Sequence, residues 1–188
     1  MIYMTSDTHF FHSAMVERKW RNFSSICEMN SKIIENWNSV VRDDDAVYFL
    51  GDFYLDGQKK TKEKYLSLRE KLNGKIHFIL GNHDYKDAIV EANCFESVDY
   101  YKELKISRKK LCVLMHYPIL SWHKQNIGSF MLHGHSHSSL KDASYLNRKT
   151  LDIGMDTNNF MPYSLEEVLD IMDKKTIIEI DHHKEREF

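Results

Sequence analysis

The sequence predicts an α/β chain in which two packed β-sheets carry their helices on the outside, and three observations lead there. The first half alternates strand-like and helix-like segments, an order that gives a parallel sheet because parallel neighbours need crossovers. Beyond Phe95 the pattern changes to strand-like runs that follow one another directly. The strands together are too many for one small sheet covered on both faces by so few helices.

Ile2 to Ser6 is a short apolar run ending at Asp7, and Phe10-Phe11-His12 continues into a loop. Ile26, Met29, Ile33, Ile34, Trp37, Val40 and Val41 recur with helical period, with Ser24 or Ser25 as cap. Asp43-Asp44-Asp45 turns the chain into a second buried strand, Ala46 to Leu50, which ends in Gly51-Asp52. Thr61 to Asn73 reads as a helix with Tyr65, Leu68 and Leu72 on one face and Gly74 as its stop. Lys75 to Leu80 is the third strand, running into Gly81-Asn82-His83-Asp84, and Ala88 to Asn93 is a short helix. Val98 to Ile106 and Leu111 to Met115, joined by Ser107-Arg108-Lys109-Lys110, predict a hairpin. Phe130 to Leu132 and Thr150 to Ile153 add two strands. An amphipathic helix over Leu165 to Met172 precedes the run Thr176 to Ile180 and a polar tail from Asp181.

A length of 188 residues suits one domain, 1–188, with a sizeable core. Apolar residues at 42% and charged residues at 29% exclude a disordered chain. The absence of a membrane-length apolar stretch or a signal-like start predicts no membrane contact and a cytoplasmic location. A formal charge of -2 makes no electrostatic case for nucleic acid, although a local basic strip could hold phosphates. Cys27, Cys94 and Cys112 lack metal-type spacing and read as reduced core thiols.

The eleven histidines are unusual, because most sit one or two residues from an Asp, an Asn or a second His directly after an apolar run. Five strand ends finish this way: Asp7-Thr8-His9, Gly51-Asp52, Gly81-Asn82-His83-Asp84, His116-Tyr117-Pro118 and Gly134-His135-Ser136-His137. Ligands of open α/β sheets sit outside the carboxyl ends of strands, so the early clusters point at one crevice. Asp7, His9, Asp52, Asn82, His116, His135 and His137 offer oxygen and imidazole nitrogen with no thiolate, which suits Mn2+, Fe or Zn2+ in a catalytic site. A shared carboxylate holds two cations about 3.5–4 Å apart, a separation at which a bridging hydroxide can attack phosphorus in line. Asp52 is the candidate for that bridge. Each cluster alone could be an ordinary turn; independent turns have no reason to supply alternating Asp, His and Asn at successive strand ends.

These five motifs, in this order, resemble those of the calcineurin-like metallophosphoesterase superfamily. Leu151-Asp152-Ile153-Gly154-Met155-Asp156 resembles the strand and glycine turn that follow the last motif in its small bacterial, archaeal and phage members. The resemblance implies a four-layer αββα sandwich, two mixed sheets flanked by helices, carrying two divalent cations, with Mn2+ favoured and Fe, Ni2+ or Zn2+ as alternatives. It places one cation on Asp7, His9, Asp52 and His137 and the other on Asp52, Asn82, His116 and His135. His83 is then free to protonate a leaving oxygen, with Asp84 orienting its ring; a His between a ligating Asn and a carboxylate is placed for proton transfer.

The expected activity is cleavage of a P–O bond in a phosphate ester, a diester in preference to a monoester because no added cap domain is evident, with nucleotides or cyclic nucleotides as candidate substrates. The alternatives are a phosphomonoesterase or nucleotide phosphatase, and a metal-binding interaction scaffold of the same fold. His77 reads as packed within its strand, His182 and His183 as solvated, and His12 and His123 as either surface or substrate-facing. Arg18-Lys19-Trp20-Arg21 mixes charge with an aromatic ring as single-strand nucleic-acid surfaces do, and a solvated loop is the favoured reading.

Overall fold

The computed structural model describes residues 1–58 and 60–178. Within them β1 (Ile2–Thr5), β2 (Ala46–Phe49), β3 (Lys75–Ile79) and β4 (Ser97–Asp99) run parallel in one sheet, each beside the next. β5 (Tyr101–Lys105), β6 (Leu111–Met115), β7 (Phe130–His133) and β8 (Thr150–Asp152) form a second sheet in that order, with β5 antiparallel to β6 and the others parallel. β9 (Tyr163–Ser164) returns to the first sheet, antiparallel to β1. Both sheets are therefore mixed.

From β1 to β4 chain order equals sheet order, so every crossover steps the same way, and crossovers of one hand put their helices on one face. α1 (Ala14–Glu17) and α2 (Ile26–Val40) link β1 to β2, α3 (Lys62–Arg69) links β2 to β3, and α4 (Lys86–Ala92) links β3 to β4. Alternation along the strands sends Tyr3, Val47, Phe49, Ile76 and Phe78 toward Met29, Ile33, Trp37, Tyr65 and Leu68 of those helices. Met4, Tyr48, Leu50 and Ile79 face the other way, into a second core with Cys112, Leu114, Phe130 and Leu132 of the facing sheet. That sheet's outer face carries Val113 and Met131 under Trp122 and Ile119 of the β6–β7 connection, with α5 (Ala143–Leu146) beside β8. α6 (Leu165–Asp173) lies against β1, β8 and β9 and adds Val168 and Met172 to the intersheet core.

Local chemistry fixes the helix ends. Ser25 caps α2, its Oγ accepting from the Glu28 N–H at 3.1 Å, and Ser164 and Glu167 form a reciprocal capping box on α6. α3 stops four residues before the expected Asn73, because Arg69 donates to the carbonyls of Leu72 (2.6 Å), Cys94 (3.2 Å) and Gly74, stabilising a non-helical turn. The expected strand Val98 to Ile106 is in fact two strands in different sheets, β4 and β5, with the chain changing sheet at Tyr100. β9, two residues long, carries no readable alternation and was not expected.

His77 is packed as anticipated, stacked 4.8 Å from Tyr48 with Nδ1 3.1 Å from Ser97 Oγ. Of the run Thr176 to Ile180, Thr176 bridges Arg148; residues 179 and 180 and the tail with His182 and His183 lie outside the described residues. Among the described residues no helix is long and apolar enough to cross a membrane.

Candidate metal centre

β1, β2 and β3 are parallel, so their carboxyl ends share one rim, and β6, β7 and β8 present a second rim in the facing sheet. The two rims are laced together just past the strands. Ser6 and Gly154 form a parallel bridge, and the Met155 N–H donates to the Ser6 carbonyl at 3.1 Å. Next to it Asp7 N–H donates to Gly51 O (2.9 Å) and His9 N–H to Asp52 O (3.0 Å), setting the first two loops side by side. The loops of β2 and β3 approach so closely that a Cβ on Gly51 or Gly81 would collide with the other loop's backbone or with Asp52 and His116.

The turns are unusual in backbone conformation. Asp7, His9, Asp52, His135 and His137 all have φ between 44° and 66°, the left-handed region that L side chains avoid at a cost of about 1–2 kcal/mol each. These positive φ values bend the chain sharply just past the strands, where the five residues gather at the junction of the two rims.

All seven predicted donors arrive in one place. Asp7, His9 and His137 form one cluster and Asp52, His116 and His135 another, each with ligand atoms within 4.8 Å of one another. Asp52 Oδ2 lies between them, 3.6 Å from His9 Nε2 and 3.6 Å from His116 Nε2. Asn82 Oδ1 is 2.9 Å from His116 Nε2 and 2.9 Å from His135 Nδ1. The His83 ring is beside the clusters, its Nε2 4.0 Å from Asp52 Oδ2, while its backbone N–H donates to Asp52 Oδ1 at 2.8 Å.

The donor chemistry fits a cation pair. His116 Nδ1 is 2.7 Å from the Leu50 carbonyl, which can only accept, so in the neutral ring Nδ1 carries the proton and Nε2 aims a lone pair at Asn82 Oδ1. His137 is set the same way: Nδ1 lies 2.6 Å from Asp156 Oδ2, leaving the Nε2 lone pair 3.1 Å from His9 Nε2. Converging lone pairs with two buried carboxylates call for positive charge. Without it, burial pushes the Asp7 carboxyl up to about 7 against the pull of His137 and of the Ser6 hydroxyl. Burial holds His9 well below its ordinary value and lowers His116. Burial would lower His137 too, but the Asp156 hydrogen bond and the Asp7 charge outweigh it and raise it.

Asp84 does not orient the His83 ring. Its carboxylate accepts from the backbone N–H groups of Asp52 (2.8 Å), Phe53 (3.1 Å) and Gly81 (2.8 Å), tying the second and third loops together. The turn sends it inward, where burial and then Asp52 push its carboxyl up to about 6.

Two residues that the sequence reading gave no place at the site are held against it. Arg21, expected in a solvated loop, is buried: Nε and Nη2 each donate to Asp156 at 2.7 Å, Nη1 donates to Thr8 O (2.9 Å) and Nη2 to Asp7 O (2.6 Å). Asp156, in the run after β8, is held ionised by His137 and Arg21 despite its burial. Arg18, Lys19 and Trp20 do stay exposed. His12 faces the site, its Nδ1 3.2 Å from His9 Nδ1, whereas His123 pairs with Glu103 at 2.9 Å.

Fold and site together define an α/β sandwich that brings two adjacent clusters of candidate metal ligands to the joined ends of its sheets. Comparison with known proteins gives the family. The model of the calcineurin-like phosphoesterases matches residues 1–186, and this chain belongs to that family, whose membership supports a metal-dependent phosphoesterase with a dinuclear centre. It is 36% identical over 183 residues to uncharacterized protein MJ1445 of Methanocaldococcus jannaschii, covering 94% of each chain. It is 27% identical over 180 residues to the gene 66 protein of Mycobacterium phage L5, covering 82% of this chain and 86% of that one. Its fold is shared, at TM-score 0.69 and 24% identity, with the crystal structure of the protein of unknown function AQ665 from Aquifex aeolicus, over 91% of this chain and 98% of that one.

Proposed function

We propose that this chain, a single cytoplasmic domain over residues 1–188, is a phosphodiesterase that cleaves a P–O bond using two divalent cations, Mn2+ foremost. The observation that carries the reading is Asp52 Oδ2 standing equidistant from imidazoles of both clusters. One cation belongs on Asp7, His9, Asp52 and His137, the other on Asp52, Asn82, His116 and His135. When bound, the pair supplies Lewis acidity toward phosphoryl oxygens and water activated at neutral pH. His83, outside both ligand sets and with its side chain 40% exposed, donates a proton from its ring to the departing oxygen. Asp84 acts through the loops, holding Asp52 and the His83 turn in register.

A cavity of about 720 Å³ opens beside His9, His83 and His137, room for a substituent of a diester. With Mn2+ present, kcat/KM for bis-p-nitrophenyl phosphate is expected to exceed that for p-nitrophenyl phosphate by about tenfold or more; the reverse order would make the protein a monoesterase.

His83→Ala is expected to lower kcat by about 100-fold, the lower part of the range for a lost proton donor, with cation content by elemental analysis unchanged. An unchanged kcat would remove His83 as the proton donor, whereas a wild type with no turnover on any phosphate ester would favour the interaction scaffold.

Metal affinity should depend on pH. Asp7, titrating at about 7 without a cation, must lose its proton to bind one, and the raised His137 must lose one as well. Below pH 7 the apparent Kd for Mn2+, read from the resonance of the free ion, is expected to fall at least about tenfold per pH unit as pH rises. A Kd independent of pH between 5.5 and 7 would remove Asp7 from the ligand set.

A further inference from the structure

Each cluster has one exposed aromatic ring beside it. On the side of Asp7, His9 and His137, the His12 ring is 5.2 Å from His9, and the Trp20 ring lies 6.5 Å beyond it at the edge of the cavity. Trp20 is 58% exposed with the Arg18 guanidinium 5.3 Å from its ring, whereas Trp37 and Trp122 are buried. On the side of Asp52, His116 and His135, the Tyr117 ring stands 4.8 Å from His135 and 5.1 Å from His116 and is 40% exposed. A single exposed aromatic is ordinary on a protein surface. Here Trp20 lies one ring beyond the first cluster and Tyr117 lies against the second, so each half of the centre has an exposed aromatic on its own side.

We infer that the substrate is a phosphodiester joining two nucleosides, its bases stacked on Trp20 and on Tyr117 while the phosphate lies over the two clusters. The inference rests on the phosphodiesterase reading and specifies its substrate. Bases offer a flat π-face to any aromatic platform whatever their sequence, and the Arg18 charge adds attraction at Trp20. Two platforms take one base each, which sets the ligand at dinucleotide size, and a net charge of -2 makes no overall electrostatic case for an extended strand.

The test compares the thymidine dinucleoside monophosphate d(TpT) with the same diester carrying two abasic sugars, in Mn2+. The wild-type KM for d(TpT) is expected to be lower than that for the abasic diester by about 5- to 150-fold for each base that stacks. Trp20→Ala and Tyr117→Ala should each raise the KM for d(TpT) by such a factor and leave the abasic diester within about twofold, the sign that side chain and base act as a pair. Both rings are exposed, so neither variant threatens the fold. A rise in only one variant, as a one-base cyclic nucleotide site would give, overturns the two-sided arrangement; no rise in either overturns the inference entirely. Binding is read separately by stopped-flow fluorescence, since Trp20 is the tryptophan open to quenching. Quenching by d(TpT) that disappears in Trp20→Phe supports base stacking even if nothing is hydrolysed, a result that would sink the hydrolase reading alone. Absence of quenching at saturation overturns the stacking whether or not hydrolysis occurs.

Discussion

Asp52→Asn is expected to lower Mn2+-dependent hydrolysis of bis-p-nitrophenyl phosphate by more than about 1000-fold. Removing one preorganised group that stabilises developing charge already costs about 100- to 1000-fold, and Asp52 serves both halves of the centre. The substitution is close to isosteric and confines the change to the site. An amide can keep Oδ1 as acceptor for the His83 N–H, so the loop stays in place. What changes is Oδ2, where an NH2 would point donors at His9 Nε2 and His116 Nε2, both 3.6 Å away. A variant with unaltered melting temperature, lost activity and lowered cation content meets the expectation. Turnover equal to wild type would remove Asp52 from its shared position.

Arg21→Met is expected to cost about 3–5 kcal/mol, the usual consequence of leaving one buried charge without its partner. Against a typical total of about 5–15 kcal/mol this is large, and at about 2–4 °C per kcal/mol for a chain of this size the melting temperature should fall by roughly 6–20 °C. The guanidinium is engaged on every side, bidentate to Asp156 and bonded to the carbonyls of Asp7 and Thr8. Its loss leaves Asp156 with His137 as its one remaining side-chain partner among the described residues and frees the backbone that carries Asp7 and His9. Because Asp156 sets the His137 ring through its 2.6 Å contact, cation affinity should weaken along with stability. Arg21→Met/Asp156→Leu, which removes both charges, is expected to recover part of the stability and none of the affinity. A single variant that melts like wild type would show that the pair contributes nothing.

The seven convergent donors were legible because each sits just past a β-strand, where periodicity of two gives way to a Gly or a charged turn, and parallel strands deliver such ends to a common rim. α2 was legible for a similar reason: Met29, Ile33 and Trp37 repeat every four residues, and all three are buried. Sheet membership was not. Ser97–Asp99 and Tyr101–Lys105 have the same kind of local pattern, and only the presence of a partner on either side of Tyr100 divides them. Arg21 was misread because burial of a guanidinium depends on acceptors 13, 14 and 135 residues away, which no local window contains. Asp84 was misread for the opposite reason, since adjacency to His83 suggests contact while the turn points the two side chains at different neighbours.

Both clusters draw donors from both sheets: Asp7 and His9 with His137 in one, Asp52 with His116 and His135 in the other. A bound ion in either place would act as a rivet through the two halves of the molecule, adding strength to a seam closed by apolar packing, the short Ser6–Gly154 lacing and hydrogen bonds such as those of His116 to the Leu50 carbonyl and of Arg21 to Asp156. Loading with metal and docking of the halves would then be one thermodynamic event, so chelation should loosen the seam between the layers before it disturbs either layer itself.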